Sequence, residues 1–145
     1  MTRVDFYLQR DAGSGSKELL ACRLVDKAYR LGHRAYVLAA DADQARRVDE
    51  LLWTHSAGSF VPHGLYDPAR GEPELTAFPV LIGAAEPPSV CHDLLVCLAE
   101  PVPASFSRFA RLAEVVGPDE ADKARARERY RFYRDRGYPL ESHTL

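Results

Sequence analysis

The chain has 145 residues and a formal net charge of −2, with 46% hydrophobic and 28% charged residues. These values are ordinary for one soluble globular domain, and they exclude both a mainly disordered chain and a chain that is basic throughout and coats nucleic acid. No run approaches the roughly 18 apolar residues that a membrane span needs, and the N-terminus lacks the apolar region of a signal peptide, so we expect a cytoplasmic protein with no membrane segment.

The first half of the chain alternates between strand and helix patterns. The predicted elements are a strand over residues 4–8, a helix over 17–31, a strand over 35–40 and a helix from Asp41 or Asp43 to about Trp53. Ser16 is the expected N-cap of the first helix, and Gly32 supplies its C-cap. The 35–40 segment is almost wholly apolar, which is typical of a strand covered on both faces in a parallel sheet.

The second half begins with a stretch from residue 55 to about residue 77 that is rich in Gly, Pro and His and is predicted to be a long loop. The elements predicted after it are strands over 78–83 and 93–99, a short helix over 104–110, a strand through Leu112, Val115 and Val116, and a last helix from Asp119 or Glu120 to about Arg136. Pro101 and Pro103 end the 93–99 strand, and Gly137 and Pro139 end the last helix. This order predicts a single three-layer α/β domain with a largely parallel central sheet.

The residues that commonly carry catalysis form no strong pattern. The three cysteines, Cys22, Cys91 and Cys97, include no CxxC pair and are expected to be reduced thiols. The histidines have no metal-ligand spacing, so no metal site and no cofactor are predicted. His63 follows Pro62 in the long loop and is interpreted as a hydrogen-bonded structural histidine. No GxSxG elbow is present, and no catalytic residue is predicted.

A Gly/Ser stretch over residues 13–17 follows the first strand, at the place where phosphate-binding loops lie. Gly13 and Gly15 are too close together for a Walker loop, and Lys17 is followed by Glu18 instead of Ser or Thr. Two interpretations stay open at this point: a flexible turn with a serine cap, or the loop of a nucleotide-binding enzyme.

Large apolar side chains interrupt the long loop. Phe60 and Val61 lie among Gly, Pro and polar residues, and the only tryptophan, Trp53, ends the helix before them. Apolar side chains in such a loop either pack into the core or contact a partner, and aromatic residues with proline are common anchors at interfaces. Both interpretations stay open.

The last predicted helix carries the clearest electrostatic signal. Residues 121–136 include seven basic and three acidic residues, a net charge of +4, against −6 for the remainder of the chain. Lys123, Arg127, Arg131 and Arg134 share one helix face, with Tyr130 beside them. Guanidinium groups next to an aromatic ring suit a carboxylate or phosphate with an apolar neighbour. The open interpretations are a solvated basic face, direct binding of single-stranded DNA, and binding of an acidic peptide with a hydrophobic end.

Four segments in matching order carry a resemblance to a known family. They are residues 4–8 (VDFYL), 49–53 (DELLW), 59–63 (SFVPH) and 126–133 (ARERYRFY). Together they resemble the chi subunits of bacterial DNA polymerase III holoenzyme, over essentially the whole chain. The resemblance implies one Rossmann-like α/β domain over residues 1–145 with no enzymatic activity of its own.

The resemblance also implies partners. Chi subunits pair with the psi subunit, which attaches them to the clamp loader, and they bind the acidic, phenylalanine-ended C-terminal tail of single-stranded DNA-binding protein. The implied function is therefore a replisome adaptor at the nucleoid that meets nucleic acid only indirectly. In isolation, such a protein is expected to be a monomer or to self-associate weakly.

The family's binding residues correspond to positions of this chain by motif. The implied psi-facing region consists of Trp53, Phe60, Val61, Pro62 and His63. The implied tail-binding site consists of Lys123, Arg127, Tyr130 and Arg131, with Val116 and Gly137 as neighbours. The segment from residue 116 to residue 123 is shorter than is usual in the family, and Arg131 stands where a lysine is usual, which keeps the charge.

Overall fold

The computed structural model describes residues 1–10, 15–55, 60–70, 78–98 and 102–145. Its strands and helices, in chain order, are β1 (Arg3–Leu8), α1 (Lys17–Arg30), β2 (Ala35–Leu38), α2 (Ala42–Thr54), β3 (His63–Leu65), β4 (Val80–Gly83), β5 (Leu94–Cys97), β6 (Arg111–Val116), α3 (Glu120–Asp135) and β7 (Leu140–Thr144). Short 3-10 helices lie at Pro68–Arg70 and Phe106–Arg108.

The seven strands found in these described ranges form one sheet in the order β3-β4-β2-β5-β6-β1-β7. Every pair of neighbouring strands is parallel. The strands β2 and β4 are buried along their whole length, because central strands of a parallel sheet are covered on both faces. The predicted α/β class and largely parallel sheet are confirmed.

Helices cover the two faces of this Rossmann-like sheet unequally. On one face, apolar residues of α1 and α2 such as Val25 and Leu52 pack with Val37 and Ile82 of the sheet. On the other face, α3 places residues such as Tyr133 against β1 and β6. The helix after β1 leads toward one edge of the sheet and the helix after β6 leads toward the other, so the connections diverge between these adjacent strands. In open α/β sheets, such a switch point at the carboxyl ends of the strands is the usual place for a ligand.

Local signals at the helix ends agree with the sequence-based predictions. The Ser16 side chain accepts a hydrogen bond from the backbone N–H of Leu19, and the Asp41 side chain accepts one from Gln44. Gly32 follows the C-cap of α1 with φ +81°, a conformation that glycine adopts without a steric penalty. Asp119, one of the two residues predicted to begin the last helix, is its N-cap.

Three predictions about elements need correction. The predicted loop over 55–77 contains the strand β3, which is only three residues long, includes a glycine and is held by its pairing with β4. The strand β7 was not predicted, because its residues are mostly polar and it lies at an edge, paired on one side with β1. Within the predicted 104–110 helix, the regular part is the 3-10 helix over three residues.

Some predicted features fall on residues that the structure does not describe. Gly13 and Ser14 of the Gly/Ser stretch, Ser59 of the aromatic loop, and Ala99 and Pro101 at the end of the 93–99 segment lie outside the described residues. None of the described helices has the length and apolar character that a membrane crossing requires.

Candidate binding site

A groove of about 450 Å³ lies between α3 and the sheet, and we call it the α3 groove. Its volume is within the range of small-ligand pockets. The lining residues come from β1, the turn after it, α3 and β7: Phe6, Leu8, Gln9, Arg10, Lys123, Ala126, Arg127, Tyr130, Ser142 and Thr144. Most of the exposed lining surface is apolar, and the charged groups in it are all cationic.

Two periodicities bring these residues together. Lys123, Arg127 and Tyr130 are four and three residues apart, so they project from one side of α3. Alternate residues of a strand point to the same face of the sheet, which places Phe6 and Leu8 of β1 beneath the helix. Ser142 and Thr144 of β7 continue that face beside them.

A buried carboxylate fixes the start of α3. Asp122 accepts hydrogen bonds from the backbone N–H of Gly117 at 2.6 Å, from Lys17 Nζ at 3.2 Å and from Arg125 at 3.3 Å. Burial alone raises the pKa of Asp122, but the bonds from Gly117 and Lys17 outweigh it and hold the pKa below its usual range. The first turn of α3, and with it Lys123, is thereby tied to β6 and α1.

The cations of the groove form few ion pairs with carboxylates of the chain itself. The Lys123 ammonium is 3.9 Å from Glu120, a long and exposed ion pair. Among the described residues, the guanidinium groups of Arg10 and Arg127 make no hydrogen bond or ion pair. The Tyr130 ring lies 5.5 Å from the ring of Phe6. The groove therefore offers uncommitted positive charge above an aromatic and aliphatic floor.

The six residues implied for tail binding do not all occupy the groove. Lys123, Arg127 and Tyr130 line it, as predicted from their shared helix face. Arg131 is exposed on α3 but is not part of the lining. Val116 is fully buried in the core beneath α3, so it has no surface to offer a ligand. Gly137 lies just after α3 with φ +79°, where it ends the helix.

Sequence reasoning missed the residues that the sheet contributes. Arg10 and Gln9 follow β1, and Ser142 and Thr144 belong to β7, which was not predicted. Residues so far apart in the chain meet α3 only because β1 lies between β6 and β7. The single local signal was a basic residue, Arg10, two positions after the predicted strand 4–8, near the carboxyl ends of the strands where ligands bind.

A second surface lies at the other edge of the sheet, and we call it the Trp53–Phe60 patch. Trp53 in the last turn of α2 is 54% exposed and Phe60 is 61% exposed, with their rings 5.4 Å apart. Half-buried Pro62 follows in the same segment. The interface interpretation of Phe60 is favoured by this exposure, because a side chain packed into the core would be covered.

Two of the implied psi-facing residues support this patch from below. Val61 is buried in the core between the sheet and α2. His63 is also buried, with Nδ1 2.6 Å from the carbonyl oxygen of Val61 and Nε2 3.1 Å from that of Asp49. Its ring lies 4.6 Å from the ring of Trp53. His63 is thus hydrogen-bonded within the fold, as interpreted from the sequence, and it holds Trp53 in place.

The described part of the Gly/Ser stretch does not offer a phosphate cradle. Lys17, the residue that would contact phosphate, is bound to Asp122 and to the carbonyl oxygen of Leu98 at 3.1 Å. Gly15 and Ser16 direct their carbonyl oxygens to the side-chain amide of Gln9. These contacts make the segment a structural turn at the start of α1.

One cluster of side chains from β1 and β7, on the face of the sheet opposite α3, has the residue types of a metal site. Ligand atoms of Asp5, Glu141 and His143 lie within 4.8 Å of one another. Arg111 and Arg3 already contact the Asp5 carboxylate, at 3.0 and 3.7 Å. Burial raises the pKa of Asp5, but the bonds from Arg111 and His143 outweigh this and lower it. The arginines supply the positive charge that a metal ion would bring, so this donor set does not suit one.

The chain is similar to one known family and to several known proteins. The family model described as DNA polymerase III chi subunit, HolC, matches residues 1–141. A Pseudomonas aeruginosa protein named DNA polymerase III subunit chi is 39% identical over 145 residues, which cover 100% of this chain and 98% of that protein. Proteins of the same name from Escherichia coli and Haemophilus influenzae are 33% and 29% identical, with at least 98% of this chain and 96% of each relative covered.

Proposed function

Since the chain belongs to the DNA polymerase III chi subunit family, we propose that it is a non-catalytic replication adaptor with two binding surfaces. The α3 groove binds the acidic C-terminal tail of single-stranded DNA-binding protein. The Trp53–Phe60 patch binds the psi subunit of the clamp loader. The adaptor acts in the cytoplasm as one domain over residues 1–145, without a cofactor, and meets template DNA through the protein that coats it.

The observation that carries this proposal is the chemistry of the α3 groove. Lys123 and Arg127 stand over a floor that includes Phe6, Leu8 and the ring of Tyr130. A peptide that ends in a phenylalanine next to acidic residues matches both halves of this surface. Its ring packs against the floor, and its carboxylates accept charge-assisted hydrogen bonds from the cations.

The geometry also indicates how such a contact behaves. Arg10 and Arg127 are exposed and Lys123 is partly exposed, so their attraction for an acidic peptide weakens as salt is added. Few residues are buried by a short tail, and a single contact is therefore of modest affinity. Many tails on coated DNA raise the apparent affinity through multivalency, which suits an adaptor that must follow a moving template.

Fluorescence anisotropy with a labelled acidic peptide ending in phenylalanine tests the groove. We expect Arg127→Ala and Tyr130→Ala each to weaken binding about tenfold, equal to about 1.4 kcal/mol. Arg23→Ala removes an exposed arginine on α1 far from the groove and is the matched control. Unchanged titration curves for both groove variants would contradict the proposal. A labelled oligonucleotide that binds at physiological salt would instead favour direct DNA binding.

The Trp53–Phe60 patch is tested by its partner. Two exposed aromatic rings in contact are the type of anchor that dominates interface energies. We expect Phe60→Ala and Trp53→Ala to abolish co-purification with psi under conditions in which the wild-type chain is retained. Leu31→Ala removes an equally exposed apolar residue elsewhere and is the control. Retention of psi by both aromatic variants would contradict this assignment.

A further inference from the structure

We propose that Arg10 is a third cation of the α3 groove and binds a carboxylate of the acidic peptide. This inference rests on the proposed function and extends it to a residue outside the motifs that the sequence suggested. Arg10 lines the groove with Lys123 and Arg127, although it comes from β1 and not from α3. Its exposed guanidinium has no partner among the described residues.

The backbone that carries Arg10 is fixed from both sides. The N–H of Gln9 donates to the carbonyl oxygen of Val116 in β6, and the N–H of Arg10 donates to that of Leu145 after β7, each at 3.1 Å. The buried side chain of Gln9 also donates to the carbonyl oxygens of Gly15 and Ser16. The Cα atom of Arg10 is therefore held in place at the carboxyl ends of the strands.

The groove consequently has two chemically different ends. The helix α3 follows β6 and runs back across the sheet. Lys123, near the start of α3, therefore lies at the carboxyl ends of the strands, as Arg10 does. The rings of Phe6 and Tyr130 meet toward the other end. A ligand that packs its aromatic ring against those rings brings a neighbouring carboxylate to the two cations, Arg10 beside the sheet and Lys123 on α3.

Two carboxylates of such a peptide are candidates: the terminal α-carboxylate and an acidic side chain upstream. Binding of the peptide to Arg10→Ala, Arg10→Lys and the control Arg23→Ala is measured by anisotropy at low salt. We expect Arg10→Ala to weaken binding about three- to fivefold, as is usual for an exposed ion pair, and Arg10→Lys to recover most of the loss. Arg23→Ala should leave the affinity unchanged.

Modified peptides identify the carboxylate. If Arg10 binds the α-carboxylate, Arg10→Ala has no further effect on a peptide with a C-terminal amide. If it binds an upstream side chain, the effect disappears with the corresponding Asp→Asn peptide. An Arg10→Ala curve that overlays the wild type, or an equal loss with every peptide, would overturn the inference while Arg127→Ala still reports the groove. A wild-type chain that binds no peptide would instead contradict the proposed function.

Discussion

Tyr133 shows how a single hydroxyl holds α3 to the sheet. The residue is fully buried, and its hydroxyl donates to the Glu114 carboxylate at 2.6 Å. Arg129 lies 3.1 Å from the same carboxylate, which is itself 1% exposed. Burial, followed by the nearby charge of Glu114, raises the pKa of Tyr133, so the hydroxyl stays protonated and remains a donor.

Tyr133→Phe removes this hydroxyl and leaves a buried carboxylate with one hydrogen bond fewer. We expect the free energy of unfolding to fall by about 1–3 kcal/mol in a urea titration. The control is Tyr138→Phe, because Tyr138 is a half-buried tyrosine of the same aromatic cluster. It should change stability by less than about 0.5 kcal/mol. Equal stability of Tyr133→Phe and the wild type would show that the Glu114 contact contributes nothing.

The three cysteines are expected to be unreactive in the native state. All are buried, and burial raises the pKa of Cys22 to about 12 and that of Cys91 to about 11. The thiolate is the reactive form, and almost none is present near neutral pH. A thiol reagent should therefore label none of them until urea unfolds the chain. Rapid labelling in native buffer would contradict the placement of the side chains in the core.

At the scale of the element, Asp122 joins three segments of the chain. Asp122→Asn removes the negative charge that faces Lys17 and Arg125, and we expect a loss of about 1–3 kcal/mol at neutral pH. The folded pKa of Asp122 is lowered, so its contribution is present above the unfolded pKa near 4 and is lost as pH falls through the folded value.

The stability difference between the wild type and Asp122→Asn, measured by thermal unfolding, should therefore shrink below about pH 4. Asp135→Asn, at the exposed end of the same helix, provides a control with little expected effect at any pH. A difference that stays constant from pH 7 to pH 3 would mean that the carboxylate charge is not what stabilises the start of α3.

The ends of two helices provide a second prediction at this scale. Gly137 after α3 and Gly32 after α1 have φ near +80°, and a Cβ added to either would meet no atom within 4 Å. Replacement by alanine thus tests the backbone alone, and we expect each variant to lose about 1 kcal/mol in a denaturant titration. If Gly137→Ala also weakens peptide binding beyond twofold, Gly137 contributes to the groove as well as to the helix end.

The elements that could be predicted from sequence are those with their own local signals. Caps such as Ser16 and Asp119, glycines at helix ends and apolar runs such as β2 predict the types and approximate limits of the three α-helices and of five of the seven strands that the described residues contain. The strands β3 and β7 have no such signal. They exist because β4 and β1 offer them backbone partners, which only the assembled sheet provides.

The same distinction divides the candidate site. Lys123, Arg127 and Tyr130 could be grouped from sequence because helical spacing alone places them on one face. Arg10 could not, since its approach to α3 depends on the strand order β6-β1-β7. Likewise, the motif that includes Phe60 and Val61 did not indicate that one would be exposed and the other buried.

At the scale of the whole molecule, the two proposed surfaces lie at opposite edges of one sheet. The α3 groove is lined by β7, and the Trp53–Phe60 patch adjoins His63 of β3. With neighbouring strands about 4.8 Å apart, six strand intervals separate the surfaces by roughly 29 Å. The near-neutral net charge of the chain does not reveal the basic α3 groove, because the cations of α3 are balanced by acidic residues elsewhere in the chain.

This separation predicts independent binding at the two surfaces. Phe60→Ala should leave the affinity for the acidic peptide within twofold of the wild type, and Arg127→Ala should leave the retention of psi unchanged. The double variant should lose both, with no further interaction between the sites, as expected for residues that share no partners. Loss of peptide binding in Phe60→Ala would show that the surfaces are coupled through the sheet.

The most direct test of the adaptor function is a bridging measurement on immobilised single-stranded DNA coated with its binding protein. The wild-type chain should recruit labelled psi to the surface. Arg127→Ala should recruit markedly less psi because it binds the tails more weakly, and Phe60→Ala should recruit none because it does not bind psi. A coat protein without its C-terminal tail should also recruit none. Recruitment of psi that is unchanged by Arg127→Ala, or by removal of the tail, would contradict the account.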